Sequence, residues 1–340
     1  MISVLLAGTV FLYLGGGVEP IMHGAEYAAL SQAPFGTEQG AAMRNRILAP
    51  LVGWLVHLRG AHFVWVPWSF LVGFLALVNV WARRLGAGST LAVVTTVCVA
   101  FSGSTMLSLI APGYVDAVSF FLIGVAFMQV HRKLLSTACL ALAVMNHEVS
   151  AFMAPAWLLY GAPSERQLPW FRERLVLLVA LLLPYATYRW WVTLHDAKAL
   201  SLNYYFAPQN LKDCLGVGLV GWITGIFAVF RLHWLVVLFV LISDRKAFNT
   251  RRLGWNLVLL ASLCATLVVA YDSTRLFSFA FPLLVIGSVE LGRRWGANRA
   301  ITIMLIIWGL NFLIPPYTTT GERSYPLHGI VDRIPQATRP

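Results

Sequence analysis

Three stretches decide the fold: AFSGSTMLSLIAPGYVDAVSFFLIGV (residues 100–125), LALAVMNHEVSAFMAPAWLLYG (140–161) and ATLVVAYDSTRLFSFAFPLLV (265–285). Each is long and apolar, and each contains an acid: Asp116, Glu148 and Asp272, respectively. Apolar runs of about 20 residues are typical of transmembrane helices. An acid at membrane depth costs roughly 3 kcal/mol or more, so it usually faces a partner, a wet cavity or a substrate. These acids are therefore the first candidates for a functional site.

The composition indicates the fold class. Of the 340 residues, 59% are hydrophobic and only 11% are charged, whereas a soluble domain is about half apolar and about a quarter charged. We therefore expect an all-α fold, a polytopic helical membrane bundle of about nine to eleven helical segments with one or two re-entrant or broken helices. Residues 1–340 are predicted to form a single integral membrane domain, with an external loop at 18–46 and an external C-terminal tail at 316–340.

The net charge of +11 is interpreted through the positive-inside rule, not as a signal for nucleic acid, which is not an expected partner. The rule places the basic clusters in the cytoplasm, against anionic lipid headgroups. These clusters are Arg83-Arg84, His131–Lys133, Arg166–Arg174, Arg245–Arg252 and Arg293–Arg299. Binding of an anionic substrate, such as a lipid phosphate, is a second explanation for part of the excess positive charge. The partners expected are thus the lipid bilayer and a phosphate-bearing substrate.

The charge rule is consistent only if residues 134–161 form two short helices that break at Asn146-His147-Glu148. A single tilted helix is the alternative, but it would place the next basic cluster outside. The segment Ile47–Leu58 is too short for an ordinary span and is predicted to be re-entrant or interfacial. Continuous helices are expected over 90–111 and 217–243, although Arg231 either lies within the membrane or marks a break.

With this topology the candidate chemistry faces outward. The candidate catalytic residues are Glu148, Glu26 and Asp116, since carboxyls act as proton donors, proton acceptors or metal ligands. Paired arginines at a membrane surface bind phosphate through several charge-assisted hydrogen bonds. The candidate substrate-binding residues are Arg44, Arg46, Tyr114, Asn146, His147, Asp272 and Arg275.

Each of these residues also has a structural interpretation. Glu26 would simply be solvated, and the arginines would contact lipid headgroups. Asp116 would stabilise a helix N-terminus, and Asp272 would pair with Arg275. Glu148 would cap the second half-helix or pair with an arginine. Tyr188–Trp191 is interpreted as an interfacial aromatic belt with an arginine anchor.

Several signatures of other functions are absent from the sequence. It contains no P-loop, dinucleotide GxGxxG, HExxH, GxSxG or CxxCH motif. This argues against an ATP-driven pump and against a cytoplasmic nucleotide-using enzyme. The cysteines show no zinc or disulfide pattern. The cofactor is therefore unknown, with a divalent cation as one candidate.

Glu19 and Glu26 form an acidic first external loop after the first helix, and polar groups follow near the membrane surface. In this arrangement the chain resembles the GT-C superfamily of polytopic glycosyltransferases. Its members use polyprenyl-phosphate sugars, and their first loop usually contains Asp where this loop has Glu. Over residues 20–150 the chain also looks like a group of bacterial inner-membrane proteins. The residues that carry this second likeness are Glu26-Tyr27, Arg44–Pro50, Gly113–Asp116 and Asn146–Glu148.

The resemblance implies a transferase acting on a lipid-linked sugar phosphate at the outer face of the inner membrane. Glu26 or Glu148 would act as the base, and Arg44, Arg46 and Arg275 would hold the phosphate. Asp116 and Asp272 would orient arginines or bind a divalent cation. Two alternatives remain open: a transporter or flippase for a lipid-linked or anionic solute, and a structural subunit of a membrane complex.

Overall fold

The computed structural model describes residues 1–21, 23–36, 43–162, 167–196, 199, 202–246, 250–270, 272–320 and 323–327. Parts of the predicted basic clusters and tail, at 163–166, 247–249 and 328–340, lie outside these residues. The described chain is mainly helical, which confirms the all-α class. The α-helices are α1 Ile2–Leu14, α2 His23–Leu30, α3 Leu48–Leu55, α4 Trp65–Arg84, α5 Ser89–Ala100, α6 Gly103–Ile110, α7 Asp116–Met128, α8 Lys133–Asn146, α9 Ala154–Tyr160, α10 Gln167–His195, α11 Leu202–Phe206, α12 Pro208–Gly216, α13 Gly218–Phe230, α14 Trp234–Lys246, α15 Thr250–Val269, α16 Ser273–Phe277, α17 Phe281–Trp295 and α18 Ala297–Asn311.

Short 3-10 turns occupy Gly60–Val64, Glu148–Met153, Arg231–His233 and Ser278–Ala280. Each turn leads directly into the following helix, which is α4, α9, α14 or α17.

Five helical stretches in the described part of the chain are long and apolar enough to cross a membrane: Gly60–Arg84, Leu168–His195, Gly218–Ser243, Arg252–Val269 and Ser273–Trp295. Large apolar side chains on several of them, such as Leu183, Val220 and Ile242, face outward. Exposed apolar surface of this extent suits a lipid environment better than water. Length, composition and surface therefore agree with a membrane protein.

The bend between α5 and α6 corrects the prediction of one helix over 90–111. The two helices meet at an angle of 51°. Ser102 turns its hydroxyl back to Val99 O at 2.7 Å, which draws the chain away from helical continuation. Gly103 then starts α6 against the backbone of Val229, where an added Cβ would lie 3.1 Å from the Val229 Cα. The close helix contact therefore favours glycine at this position.

The predicted span 217–243 is interrupted by a 3-10 turn at Arg231–His233. The φ of Arg231, 49°, is in the left-handed region. The Arg231 guanidinium donates to Phe101 O at 2.7 Å and to Asn311 O and Ile314 O at 3.0 Å. These carbonyls lie at the C-terminal ends of α5 and α18, which have unpaired acceptors and a partial negative charge. Arg231 therefore both marks the break and stabilises two helix ends.

The break at Asn146-His147-Glu148 is confirmed. Helix α8 ends at Asn146, and His147 is extended with φ −156° before the 3-10 turn begins. The Asn146 side-chain amide donates to Val115 O and to Ser119 Oγ, both at 2.8 Å. This fastens the break to the start of α7. The segment Ile47–Leu58 likewise contains only a short helix, α3.

The end of the chain contains an element that the sequence analysis did not predict. Tyr317–Thr320 and Arg323–Pro326 pair as an antiparallel hairpin, with Tyr317 opposite Pro326. The Thr319 amide donates to Thr274 Oγ1 at 2.9 Å. The described part of the predicted external tail therefore rests on α16.

The order of the spans fixes which residues share an end of the bundle. The stretch Arg252–Val269 runs from one end to the other, and Ser273–Trp295 returns after the turn at Asp272. Asp272 and Glu290 consequently lie near opposite ends. Between them, the packed centre is aromatic: Phe74 and Phe281 have ring centroids 4.8 Å apart, and Phe120 and Phe279 have centroids 5.0 Å apart.

Candidate functional site

The candidate site lies where the first predicted external loop meets the turn that precedes α7. Gly24 of α2 packs directly on the backbone at Gly113, where an added Cβ would lie 2.9 Å from Gly24 Cα. Gly113 has φ 87°, a conformation that favours glycine. The Ile21 amide also donates to Pro112 O at 3.3 Å. Two glycines therefore bring α2 and its polar residues against the start of α7.

Glu148 is at the centre of one ion-pair group. Its Oε2 accepts from Arg46 Nε at 2.8 Å, and its Oε1 accepts from Arg189 Nη1 at 3.4 Å. Arg46 also donates through Nη1 to Tyr27 OH at 2.9 Å, and Tyr27 is fully buried. Charge-assisted hydrogen bonds of this kind orient a guanidinium group strongly. Glu148 thus holds Arg46 and Arg189 in place.

Asp116 is at the centre of a second group. Its Oδ2 accepts from Arg275 Nε at 2.8 Å, and its Oδ1 lies 3.6 Å from His147 Nε2. His147 Nδ1 accepts from the Val149 amide at 3.3 Å, which places the ring proton on Nε2, facing Asp116. The same Nδ1 lies 3.7 Å from Glu148 Oε2. His147 therefore stands between the two carboxylates, within 4 Å of each.

Asp272 lies at the edge of the second group. Its Oδ1 accepts from the Arg275 amide at 3.3 Å and caps α16. Burial raises the pKa of Asp272 to about 6, although the nearby Arg275 opposes this effect. The Arg275 guanidinium lies over the Tyr114 ring, 4.8 Å from its centroid. Asp272 is therefore bonded to the backbone amide of Arg275, whereas the Arg275 side chain donates to Asp116.

Glu26 differs from the other acids because its side chain is 34% exposed. Its Oε1 is 3.0 Å from His23 Nδ1. The hydrogen bond from His23 holds the pKa of Glu26 below its usual range, although partial burial acts in the opposite direction. The positive charge of Arg46 adds to the lowering. Glu26 is therefore an ionised carboxylate at neutral pH that lies beside the ion-pair groups.

Some buried polar atoms in this region have no hydrogen-bond partner among the described residues. They are Glu26 Oε2, Asp116 Oδ1, Arg275 Nη2 and Ser273 Oγ. Most buried polar atoms in folded proteins are satisfied, so a group of exceptions calls for an explanation. Open acceptors and an open guanidinium donor in one region suit a ligand bearing both hydroxyl and anionic oxygen atoms.

The structure brings most of the predicted site residues together. Arg46, Tyr114, Asp116, His147, Glu148 and Arg275 belong to the two linked groups, with Glu26, Asn146 and Asp272 at their edges. Arg44 is placed differently. Its Nε lies 2.5 Å from Asp196 Oδ2, and both side chains are almost completely buried. Arg44 therefore fixes the loop in position through an acid that the sequence analysis did not select.

Helix α10 contributes residues that the sequence analysis missed. The Tyr185 hydroxyl donates to Asn45 O at 2.9 Å, and the Tyr188 hydroxyl donates to Arg44 O at 3.0 Å. Arg189, interpreted as an anchor in an aromatic belt, instead reaches Glu148. The signal was present in the sequence, because positions 185, 188 and 189 share one helix face.

The two acids proposed as cation ligands are Asp116 and Asp272. Across the described ranges, no group of three or more His, Cys, Asp or Glu residues could hold a metal ion. Asp116 contacts Arg275 and His147, which fits the role of orienting an arginine. Comparisons with protein-family models, curated proteins and solved structures found no match to this chain.

Proposed function

We propose that this protein is a polytopic transferase of the bacterial inner membrane that acts on a lipid-linked sugar phosphate at the outer face. The bundle would cross the bilayer with the five long helices, the bent pair α5–α6 and the shorter apolar helices α1, α7 and α8. This gives nine segments in the described part of the chain, within the predicted nine to eleven. The outer face is assigned to the end that carries Asp272, because the opposite end carries Arg83, Arg84, Arg293 and Arg294.

The observation that carries the proposal is an open carboxylate oxygen on Glu26 and an open donor on Arg275 in one region of the structure. His23, the partner of Glu26, and Arg275 both lie against the Tyr114 ring. Glu26 Oε2 and Arg275 Nη2 are both buried without a hydrogen-bond partner among the described residues. A sugar transfer from a lipid phosphate needs a base for the acceptor hydroxyl and a cation for the departing phosphate. These two atoms offer one of each.

Glu26 is the base in this proposal. Its carboxylate takes the proton from the acceptor hydroxyl as that oxygen attacks the anomeric carbon of the sugar. The bond from this carbon to the phosphate oxygen breaks, and the phosphate leaves with the electron pair. Arg275 and Arg46 stabilise the charge that develops on the phosphate. The Arg46 and Arg275 side chains are largely buried, which strengthens their interaction with a phosphate.

Glu148 and Asp116 have a supporting role. Each accepts a short hydrogen bond from an arginine, at 2.8 Å in both cases. A carboxylate engaged in this way is poorly available to a substrate proton, which favours Glu26 over Glu148 as the base. The two acids hold the guanidinium groups in fixed orientations. His147 lies between the two acids.

The first test is binding of the leaving group, because it does not require the sugar to be identified. Purified protein is titrated with decaprenyl phosphate and with decaprenol, which lacks the phosphate. We expect decaprenyl phosphate to bind at least about tenfold more tightly, equivalent to about 1.4 kcal/mol. The Arg275→Gln variant should lose this preference. Equal binding of the two lipids by the unaltered protein would refute the proposed substrate class.

The second test is turnover with decaprenyl-phosphate-linked mannose and glucose in proteoliposomes. Glu26→Gln should lower turnover by about 10²–10⁴-fold, the usual contribution of a general base. Glu19→Gln is the matched control, since Glu19 is an exposed acid of the same loop. Glu26→Gln turnover equal to that of the control would exclude Glu26 as the base. Movement of intact donor across the vesicle membrane, without transfer, would instead support the transporter alternative.

A further inference from the structure

The short helix α11 carries three consecutive aromatic residues, Tyr204, Tyr205 and Phe206. The ring centroids of Tyr204 and Tyr205 lie 5.6 Å apart, and the two rings meet at an angle of 80°. Tyr204 is 42% exposed and Phe206 is 63% exposed, whereas Tyr205 is partly buried. We call Tyr204 and Tyr205 the tyrosine pair. One ring of this pair is therefore accessible, and the other is packed against the protein.

The tyrosine pair is fixed at the end of the bundle that carries Asp272. The buried Asn210 donates through its side-chain amide to Tyr205 O at 2.9 Å and to Val269 O at 3.0 Å. Val269 is the last residue of the apolar stretch Arg252–Val269, and Asp272 follows three positions later in the chain. One amide group thus ties the backbone of the pair to the boundary of a span, beside a turn of the candidate site.

The Tyr205 side chain faces the ion-pair group of Glu148. Its hydroxyl accepts a hydrogen bond from Arg46, and the charges of Glu148 and Arg189 also act on it. Burial raises the pKa of Tyr205 and the negative charge of Glu148 adds to this effect, whereas Arg46 opposes it. The positive charge of Arg46 acts on Glu26 as well. Arg46 is therefore close both to the tyrosine pair and to the proposed base.

A sugar ring suits a surface of this mixed character. One face of a hexose consists mainly of C–H groups, which pack on an aromatic ring, while its hydroxyl groups form hydrogen bonds around the edge. Tyrosine supplies an apolar ring and a hydroxyl together, at a small cost in side-chain entropy. In a lipid-linked sugar phosphate the sugar is attached directly to the phosphate. A phosphate held by Arg46 therefore brings the sugar next to the tyrosine pair.

We infer that the tyrosine pair is the subsite for the sugar ring of the lipid-linked donor. The sugar packs on the exposed Tyr204, and the Tyr205 hydroxyl, held by Arg46, contacts a sugar hydroxyl. This inference rests on the proposed transferase function and specifies which residues recognise the sugar. The alternative role for aromatic residues at a span boundary is an interfacial belt, which would not distinguish Tyr204 from Phe206.

The experiment compares the binding of three lipids to the purified protein: decaprenyl phosphate, decaprenyl-phosphate-linked mannose and decaprenyl-phosphate-linked glucose. We expect the unaltered protein to bind at least one of the sugar-bearing lipids about tenfold more tightly than decaprenyl phosphate. Tyr204→Ala should remove this preference and leave the affinity for decaprenyl phosphate unchanged. Tyr204→Phe keeps the aromatic ring and should keep the preference.

The matched control is Phe206→Ala, which removes the more exposed aromatic ring of the same helix and should also keep the preference. An unchanged preference in Tyr204→Ala would overturn the inference. Equal losses of affinity for all three lipids in Tyr204→Ala and Phe206→Ala would overturn it in favour of an aromatic belt.

The unaltered protein separates failure of this inference from failure of the proposed function. If it binds decaprenyl phosphate more tightly than decaprenol but binds neither sugar-bearing lipid more tightly than decaprenyl phosphate, the sugar subsite is overturned and the phosphate site stands. If it does not prefer decaprenyl phosphate over decaprenol, the proposed function is refuted, and the sugar subsite with it.

Discussion

Glu148→Gln tests whether the ion-pair groups of the candidate site are structurally important. The substitution keeps the shape of the side chain but leaves Arg46 and Arg189 without their shared carboxylate. The Arg46 side chain is 7% exposed and that of Glu148 is 19% exposed. Removing one partner of a buried pair costs about 3–5 kcal/mol, because the remaining charge stays buried. We expect about 3 kcal/mol here, at the lower end, since Glu148 retains some contact with solvent.

The assay is thermal unfolding in detergent, followed by the intrinsic fluorescence of the tryptophans. For a chain of this size, 1 kcal/mol corresponds to about 2 °C in Tm, so Glu148→Gln should lower Tm by about 6 °C. The double variant Arg46→Gln/Glu148→Gln should recover part of the loss. The coupling free energy between the two positions should be about 1–3 kcal/mol.

The matched control is Glu173→Gln. Glu173 makes an ion pair with Lys133 at the same distance, 2.8 Å, but both side chains are about half exposed. Exposed pairs contribute little because water and salt screen them, so the control should leave Tm almost unchanged. A shift in Glu148→Gln no larger than in Glu173→Gln, or strictly additive effects of the two site substitutions, would refute the ion-pair reasoning.

Two further predictions concern the edges of the site. The pKa of Asp272 is raised to about 6 in the folded protein, compared with about 3.9 in an unfolded chain. The protonated carboxyl therefore stabilises the folded state below about pH 4. This stabilisation is lost as the pH rises through 6. Asp272→Asn keeps a capping side chain and should flatten the dependence of Tm on pH between 4 and 6; an unchanged slope would contradict this. Gly24→Ala introduces a Cβ against Pro112 O and should cost about 1–3 kcal/mol in unfolding free energy. Gly8→Ala, where an added Cβ meets nothing within 4 Å, should instead gain about 0.5–1 kcal/mol, and equal Tm values for the two variants would contradict the close contact at Gly24.

The convergence of Asp116 and Glu148 could be predicted from the sequence because two strong rules coincide. Acids are rare in apolar runs, so Asp116 and Glu148 stand out as candidate site residues. The positive-inside rule assigns each loop to one side of the membrane, and it places both acids near the same side. The break at Asn146 followed from the same rule. The identity of the partners did not follow, since Arg46 and Glu148 are separated by 102 positions. Pairing at that separation is decided by tertiary packing, which local patterns do not encode.

The bend at Phe101 was missed for a different reason. The residues on both sides are apolar and compatible with a helix, so hydropathy continues across the bend. The bend depends on a distant contact, since Gly103 packs on Val229. At Arg231 the charge itself indicated a possible break, but its contacts with the ends of α5 and α18 could not be predicted from local sequence. The hairpin at Tyr317–Pro326 was missed because its polar strands have no apolar alternation to reveal them.

The stretch Ser273–Trp295 carries Arg275 near one end and Glu290 near the other. Its central 18-residue window is 89% buried, so it is clamped on nearly all sides by other helices. The two residues are separated by about 22 Å along the axis, at about 1.5 Å per residue. The ion pair of Arg275 with Asp116 and the contacts of Glu290 with its neighbouring arginines are therefore held at a fixed separation by one deeply packed helical stretch.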